Sequence, residues 1–283
     1  IIVGTTNMTE FAVGGLGLNP HYGNCRNPYD RDTGRIPGGS SSGAAISVAD
    51  GMVYAGLGTD TAGSVRIPAA FCGLAGFKPT FGRVPTDGVF PLSTTLDSVG
   101  PLALTVGCCA LVDAIFANDD PAPITPIPLR GLRFGIPDTL VTDDLEPPVA
   151  AAFERALDKS SEAGAIVEEI PLPELGELAQ VGQARFPSMV EGYAIHRETL
   201  ENSPEQMDPR IADRLMAGGQ MSGPDYYDVL RYRDNLMART APIIARFDAV
   251  IMPTVPVIAP PIDDFLVNDE ARRNPFVLVI RNP

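Results

Sequence analysis

With 283 residues the chain can bury one large core or two modest ones. Hydrophobic residues make up 45% and charged residues 20%, the balance of an ordinary globular protein. A surplus of 35 acidic over 21 basic side chains, net −14, disfavours direct binding to nucleic acid or to an anionic membrane. No apolar run reaches the roughly 18–20 residues of a membrane-spanning helix, and the opening IIVGTTNMTEF lacks the basic region of a signal peptide. The chain opens on strand-like Ile1 and stops at Pro283 without a closing element, so it reads as an internal piece of a longer protein.

In chain order, Ile1–Gly4 is expected to be a strand end, followed by a polar turn and the apolar segment Phe11–Leu18. Residues 19–37, rich in Asn, Pro, Gly and Asp, form a loop. Between Gly43 and Val53 small and apolar residues surround a helical wheel, which predicts a buried helix capped by Ser41 or Ser42. Tyr54–Gly58 has the length of a buried strand, and Pro68 sits in the first turn of the next helix. Ser64 therefore falls where a strand end meets a helix start, a place that favours negative charge.

Leu132–Ile136 is a strand, Pro147–Gly164 a helix with apolar positions three and four apart, and Ile166–Ile170 the next strand. This β-α-β order predicts parallel pairing through a right-handed crossover. Residues 171–247 are expected to be mostly helical, with Tyr226, Tyr227, Leu230 and Leu236 among the buried positions. Asp248–Pro253 returns as a strand, and 253–261 is a proline-rich loop. The whole reads as one α/β unit with a helical elaboration.

Two glycine-rich turns carry the chemistry: Gly38–Gly43, which holds Ser40, and Gly58–Ser64, with the two serines 24 positions apart. Glycine lets backbone approach a reacting group, and a serine facing backbone N–H groups has the ingredients of a nucleophile. Each turn also has a plainer reading. GGSSSG can be a linker or a helix cap, and GTDTAGS a phosphate nest, although the lysine of a P-loop is absent. Asp60 and Arg66 flank Ser64, and a structural ion pair bracing the loop is favoured over a direct catalytic role.

His21 lies in a loop and His196 in a polar helix; neither has an orienting motif, which argues against a Ser-His-Asp triad. Lysine is then the remaining common base. Cys25, Cys72, Cys108 and Cys109 form no CxxC pair and read as buried free thiols of a reducing compartment, which suggests a cytoplasmic location. With two histidines and no ligand spacing, a zinc or other metal site is not expected.

Residues 38–80 closely resemble the signature of the amidase signature family of serine amidohydrolases: GGSSxG, then GTDxGGSxRxPAxxCG, then GxKPT. Ala62 stands where glycine is usual, and Ser42 where many members carry glycine. Residues 3–11, 82–85 and 96–101 are also similar, and 252–254 more loosely. The resemblance implies an α/β/α sandwich with a mixed central sheet, of which this chain is a part, with 1–118 as signature core and 119–283 as the β-α-β unit plus helices.

It also implies site residues. Ser64 would be the nucleophile and Ser40 the proton relay, preceded by a cis peptide bond. The amides of Thr61, Ala62, Gly63 and Ser64 would form the oxyanion hole, with Ser41, Asp60 and Arg66 in support. The third member of the triad is a lysine N-terminal to the relay serine. Lys78 matches the GxKPT position and Lys159 lies in a helix, so neither fits, and the base is expected on sequence before Ile1.

The implied activity is hydrolysis of a linear carboxylic amide to acid and ammonia or amine through a serine acyl-enzyme, without cofactor. The substrate-binding walls are expected largely from residues 120–283. The implied partner is a small-molecule amide, not nucleic acid or membrane, and a homo-oligomer is compatible. Two alternatives stand beside it: the glutamine-hydrolysing component of a tRNA-dependent amidotransferase, and a non-catalytic binding module of the same fold.

Overall fold

The computed structural model describes residues 1–181 and 186–266. Residues 182–185, inside the stretch expected to be helical, and 267–283, at the end of the second part, lie outside them. Residues 1–4 form exposed coil rather than the expected strand end. A strand needs a neighbour to satisfy its backbone, and among the described residues none lies alongside.

Helix α1 spans Ser42–Ala49 and is shorter than the apolar run suggested. Asp50 caps it, and Gly51 at φ +70° turns the chain away, leaving Met52 and Tyr54 exposed. Strand β1, Ala55–Asp60, starts one residue later than expected and runs two further. Helix α2 is the short Arg66–Phe71, strand β2 the pair Ala75–Gly76, and β3 covers Ser98–Ala103. β3 lies in the centre of an antiparallel ladder, β1-β3-β2, with Gly58 opposite Gly100. All six residues of β3 are buried. Helix α3, Val106–Phe116, follows, its first turn capped by the Thr105 hydroxyl, which accepts from the Cys108 amide.

The second ladder is parallel. β4 (Arg133–Pro137) pairs with β5 (Ile166–Ile170) across helix α4 (Pro147–Glu162), and with the two-residue β6 (Ala249–Val250) on its other side. The β-α-β unit thus stands as the sequence predicts, within one residue at β4. The expected strand 248–253 shrinks to β6, because the prolines at 253 and 256 cannot donate to a ladder. The α/β class holds. Its antiparallel and parallel pairings are divided between two three-stranded ladders among the described residues.

Helices α5 (Glu174–Val181), α6 (Pro187–Asn202), α7 (Pro209–Gly218) and α8 (Gly223–Ile244) follow, with a short α9 at Asp263–Leu266. Leu236 is buried and Tyr226 and Leu230 half-buried, but Tyr227 faces outward against expectation, since α8 turns only one side to the core. Two apolar clusters pack these parts against the first hundred residues. Val13 and Leu92 pack with Met189, Ile211 and Leu215 of α6 and α7. Leu18, Ile36 and Ile67 pack with Val255, Ile262 and Phe265. Backbone bonds from Ile36 to Pro260 and from Ile262 to Gly34 tie the segment before the first glycine-rich turn to residues 260–262.

Candidate active site

The two serine turns meet. The Ser41 amide donates to the Ser64 carbonyl at 3.1 Å, which sets the start of α1 against the turn between β1 and α2. The peptide bond between Gly39 and Ser40 is cis. Ser40 is fully buried; its carbonyl accepts from Thr9 at 3.1 Å and Ser42 at 2.8 Å, and the Gly39 amide donates to Gly15. The Ser40 hydroxyl has no hydrogen-bond partner among the described residues.

Asp60, at the end of β1, has no exposed surface and organises the Ser64 turn. Its carboxylate accepts from the amides of Gly63 (2.6 Å), Val65 (3.1 Å) and Arg66 (3.3 Å), and from the Arg66 guanidinium at 3.0 and 2.9 Å. Burial alone would push this carboxyl up; the Arg66 charge and the amides outweigh it and hold the group below the usual carboxylate range. The favoured reading of the pair as a brace fits this geometry.

The brace changes one expectation. The Gly63 amide is engaged by Asp60 and so cannot also point at a developing oxyanion. Thr61, Ala62 and Ser64 keep amides that reach no protein acceptor among the described residues. Gly63 itself is required by φ +124° and by Ile67, whose Cδ1 would lie 2.7 Å from a Cβ there. Residue 62 has no positive φ, so alanine is accommodated where the resemblance has glycine. Since α2 has only six residues, these local amides, rather than a helix dipole, supply the electrostatics.

Ser41 occupies the N-cap position of α1 but does not cap with its side chain. Its hydroxyl accepts from the Thr59 amide at 3.2 Å, which is possible because Gly58 leaves room beside it. Lys78 donates to the Pro79 carbonyl at 2.6 Å and is held below its ordinary pKa by burial. Lys159 is exposed on α4. His196 is buried against Phe11, ring centroids 4.0 Å apart, and not on a polar helix face. Cys72 and Cys109 are buried, as read, and burial pushes the Cys72 thiol up to about 12, but Cys108 is exposed.

The amidase family profile matches residues 1–278. The chain belongs to the amidase signature family. It is 38% identical over 267 residues to a 2-amino-5-chloromuconic acid deaminase of Comamonas testosteroni, covering 93% of this chain and 58% of that protein. It is 36% identical to the A component of the glutamyl-tRNA(Gln) amidotransferase of Chloroflexus aggregans, covering 93% and 60%. A crystal structure of an amidase superposes with TM-score 0.85 at 36% identity, over 92% of this chain and 58% of that one. The chain thus spans about three-fifths of the length of these relatives.

This amidase family member also holds polar groups that sequence reasoning missed. Thr61 Oγ1 donates to Asp97 Oδ1 at 2.5 Å, and Asp97 Oδ2 accepts from the amides of Leu92 and Ser93, both at 2.8 Å. Glu191 of α6 accepts from Ser93 Oγ and Thr95 Oγ1, each at 2.7 Å, and from Tyr226 of α8 at 2.5 Å. Asp97 lay in plain view inside the similar stretch 96–101. Glu191 had no signal, because its partners come from Ser93 and Thr95, nearly a hundred positions upstream, and from Tyr226, 35 positions downstream. Thr9, inside the similar stretch 3–11, donates its amide to the Ser40 carbonyl and lines a cavity of about 40 Å³ with Asp208, Ile211 and Arg214; neither Ser40 nor Ser64 lines it.

Proposed function

We propose that the protein hydrolyses a linear carboxylic amide to the acid and ammonia through an acyl-enzyme on Ser64. The observation that carries this is the meeting of the two serine turns: a buried Ser40 hydroxyl without a partner, beside a turn with three unengaged amides. A buried hydroxyl left unmade costs about 1–3 kcal/mol, a cost expected where the group has a task.

Ser64 Oγ attacks the amide carbonyl as its proton passes to Ser40 and on to a lysine supplied from outside residues 1–283. The amides of Thr61, Ala62 and Ser64 receive the charge of the tetrahedral intermediate, where one such donor is worth about 2.7–4 kcal/mol. The relay returns a proton to the leaving nitrogen, and water then releases the acid from the Ser64 ester. That lysine must be neutral to accept, so burial has to bring it below its ordinary value of about 10.4.

The likeness to the glutamyl-tRNA(Gln) amidotransferase component favours a second reading, in which the same acyl chemistry on glutamine delivers ammonia to a partner. Ammonia release from a panel of simple amides and from glutamine, by the full gene product and its Ser64→Ala variant, separates these readings. Turnover of simple amides that vanishes in Ser64→Ala supports the first, and turnover of glutamine alone the second. Retained turnover in Ser64→Ala overturns both.

A further inference from the structure

The Asp60 brace holds the turn only from its C-terminal side, through the amides of residues 63, 65 and 66. The two peptide planes that lead into it, at Thr61 and Ala62, need another anchor. Ala62 has no polar side chain, so the anchor is Thr61, and its hydroxyl is bound to Asp97.

We infer that Asp97 is a positioning residue for the oxyanion turn, fixing Thr61 so that its amide and the next face one point beside Ser64. A carboxylate suits this task better than a neutral acceptor. Hydrogen bonds to an ionised group are shorter and about twice as strong. Two carboxylate oxygens also serve three donors at once: the Thr61 hydroxyl and the amides of Leu92 and Ser93. Asparagine would turn a donor toward one side of that set.

Asp97 is itself held. Ser93 and Thr95 on its loop donate to Glu191, which the Tyr226 hydroxyl also binds, so α6 and α8 fix the loop that fixes the turn. The line from Thr61 through Asp97 and Ser93 to Glu191 is continuous at distances of 2.5–2.8 Å. The role rests on the amide-hydrolysis reading, in which the phosphonyl oxygen of a fluorophosphonate occupies the same place as the substrate oxyanion.

The test follows inactivation of the full gene product by a fluorophosphonate, separating the maximal rate from the apparent affinity. Thr61→Val and Asp97→Asn are expected to slow the maximal rate about 10- to 100-fold, the scale of a misplaced donor, with affinity changed less than about 3-fold. Thr61→Ser keeps the hydroxyl and should stay within about 3-fold of wild type. The double variant Thr61→Val/Asp97→Asn should be no slower than the slower single one.

Thermal midpoints identify any variant that fails to fold; if Asp97→Asn does, Thr61→Val and Thr61→Ser decide. A folded Thr61→Val that reacts within about 2-fold of wild type, or loses only affinity, overturns the role of Asp97 while leaving Ser64 as nucleophile. A wild type not labelled at Ser64 overturns the amide-hydrolysis reading, and this role with it.

Discussion

The β1-β3-β2 ladder and the β5-β4-β6 ladder have three strands each and are built by opposite means. In the first, all six residues of β3 are buried, and glycines at 56, 58 and 100 bring backbone against backbone or against a hydroxyl. In the second, no residue of the 16-residue helix α4 is fully buried, β5 buries only Ile170, and β4 buries only its last three residues. Where backbone packs this closely, each polar group needs a named partner, and the partners here are Ser41, Asp60 and Asp97. Where an amphipathic helix lies on a sheet, many sequences would do. The proposed chemistry sits in the first kind of structure.

Ion pairs from the two regions should therefore differ most. Asp60→Ala leaves Arg66 and three amides without their acceptor and should cost about 3–5 kcal/mol in denaturant unfolding. Arg133→Ala breaks a pair with Glu168 whose side chains are 39% and 38% exposed, and should cost no more than about 1 kcal/mol. Equal losses would break the comparison. The Asp60 pKa is lower folded than unfolded, so its stabilisation is complete above the unfolded value of about 4 and fades as pH falls through the folded one. Asp60→Ala should accordingly lose less stability than wild type on acidification.

Glycines provide the next contrast. A Cβ at Gly100 would overlap the Phe77 carbonyl oxygen, and the backbone of Phe77 is held by its amide's bond to the Pro101 carbonyl, so Gly100→Ala should destabilise by about 3 kcal/mol. At Gly135 of β4 the neighbours are the side chains of Ile170 and Phe247 at 3.1 Å, which can give way, and the cost should be about 1 kcal/mol. Thermal or denaturant unfolding of both variants measures the difference; a larger loss at Gly135 would contradict it.

The same contrast explains what was legible in the sequence. The β-α-β unit was readable because its periodicity is local, with Pro147 starting α4 and Gly164 at φ +93° ending it. Ser40, Ser64, Asp60 and Arg66 were readable as a group because they lie within 27 positions of one another in two turns. The fates of Gly63 and Ser41 were not, since whether an amide or hydroxyl is engaged depends on a partner chosen in three dimensions. Glu191 was invisible for the stronger reason that its donors come from residues 93–95 and from α8. The apolar run to Val53 misled because composition cannot say where Gly51 turns the chain.

A further predicted effect lies where the second region reaches into the first. Burial, and then the Glu191 carboxylate beside it, push the Tyr226 phenol up to about 12. Being raised on folding, it stabilises fully below the ordinary tyrosine value of about 10, and that contribution is lost as pH rises toward 12. Tyr226→Phe should cost about 1–2 kcal/mol at neutral pH. The tyrosinate absorbance difference between wild type and Tyr226→Phe should titrate near 12; a midpoint near 10 would detach α8 from the Glu191 cluster.

The central claim is that the turn after β1 presents Ser64 as an activated nucleophile. Its most direct test is fluorophosphonate labelling of the full gene product, with the modified peptide mapped by mass spectrometry. A single phosphonyl adduct on Ser64, absent from Ser64→Ala, is the expected result. Label on another residue, or amide turnover with Ser64 unmodified and the protein folded, would contradict it.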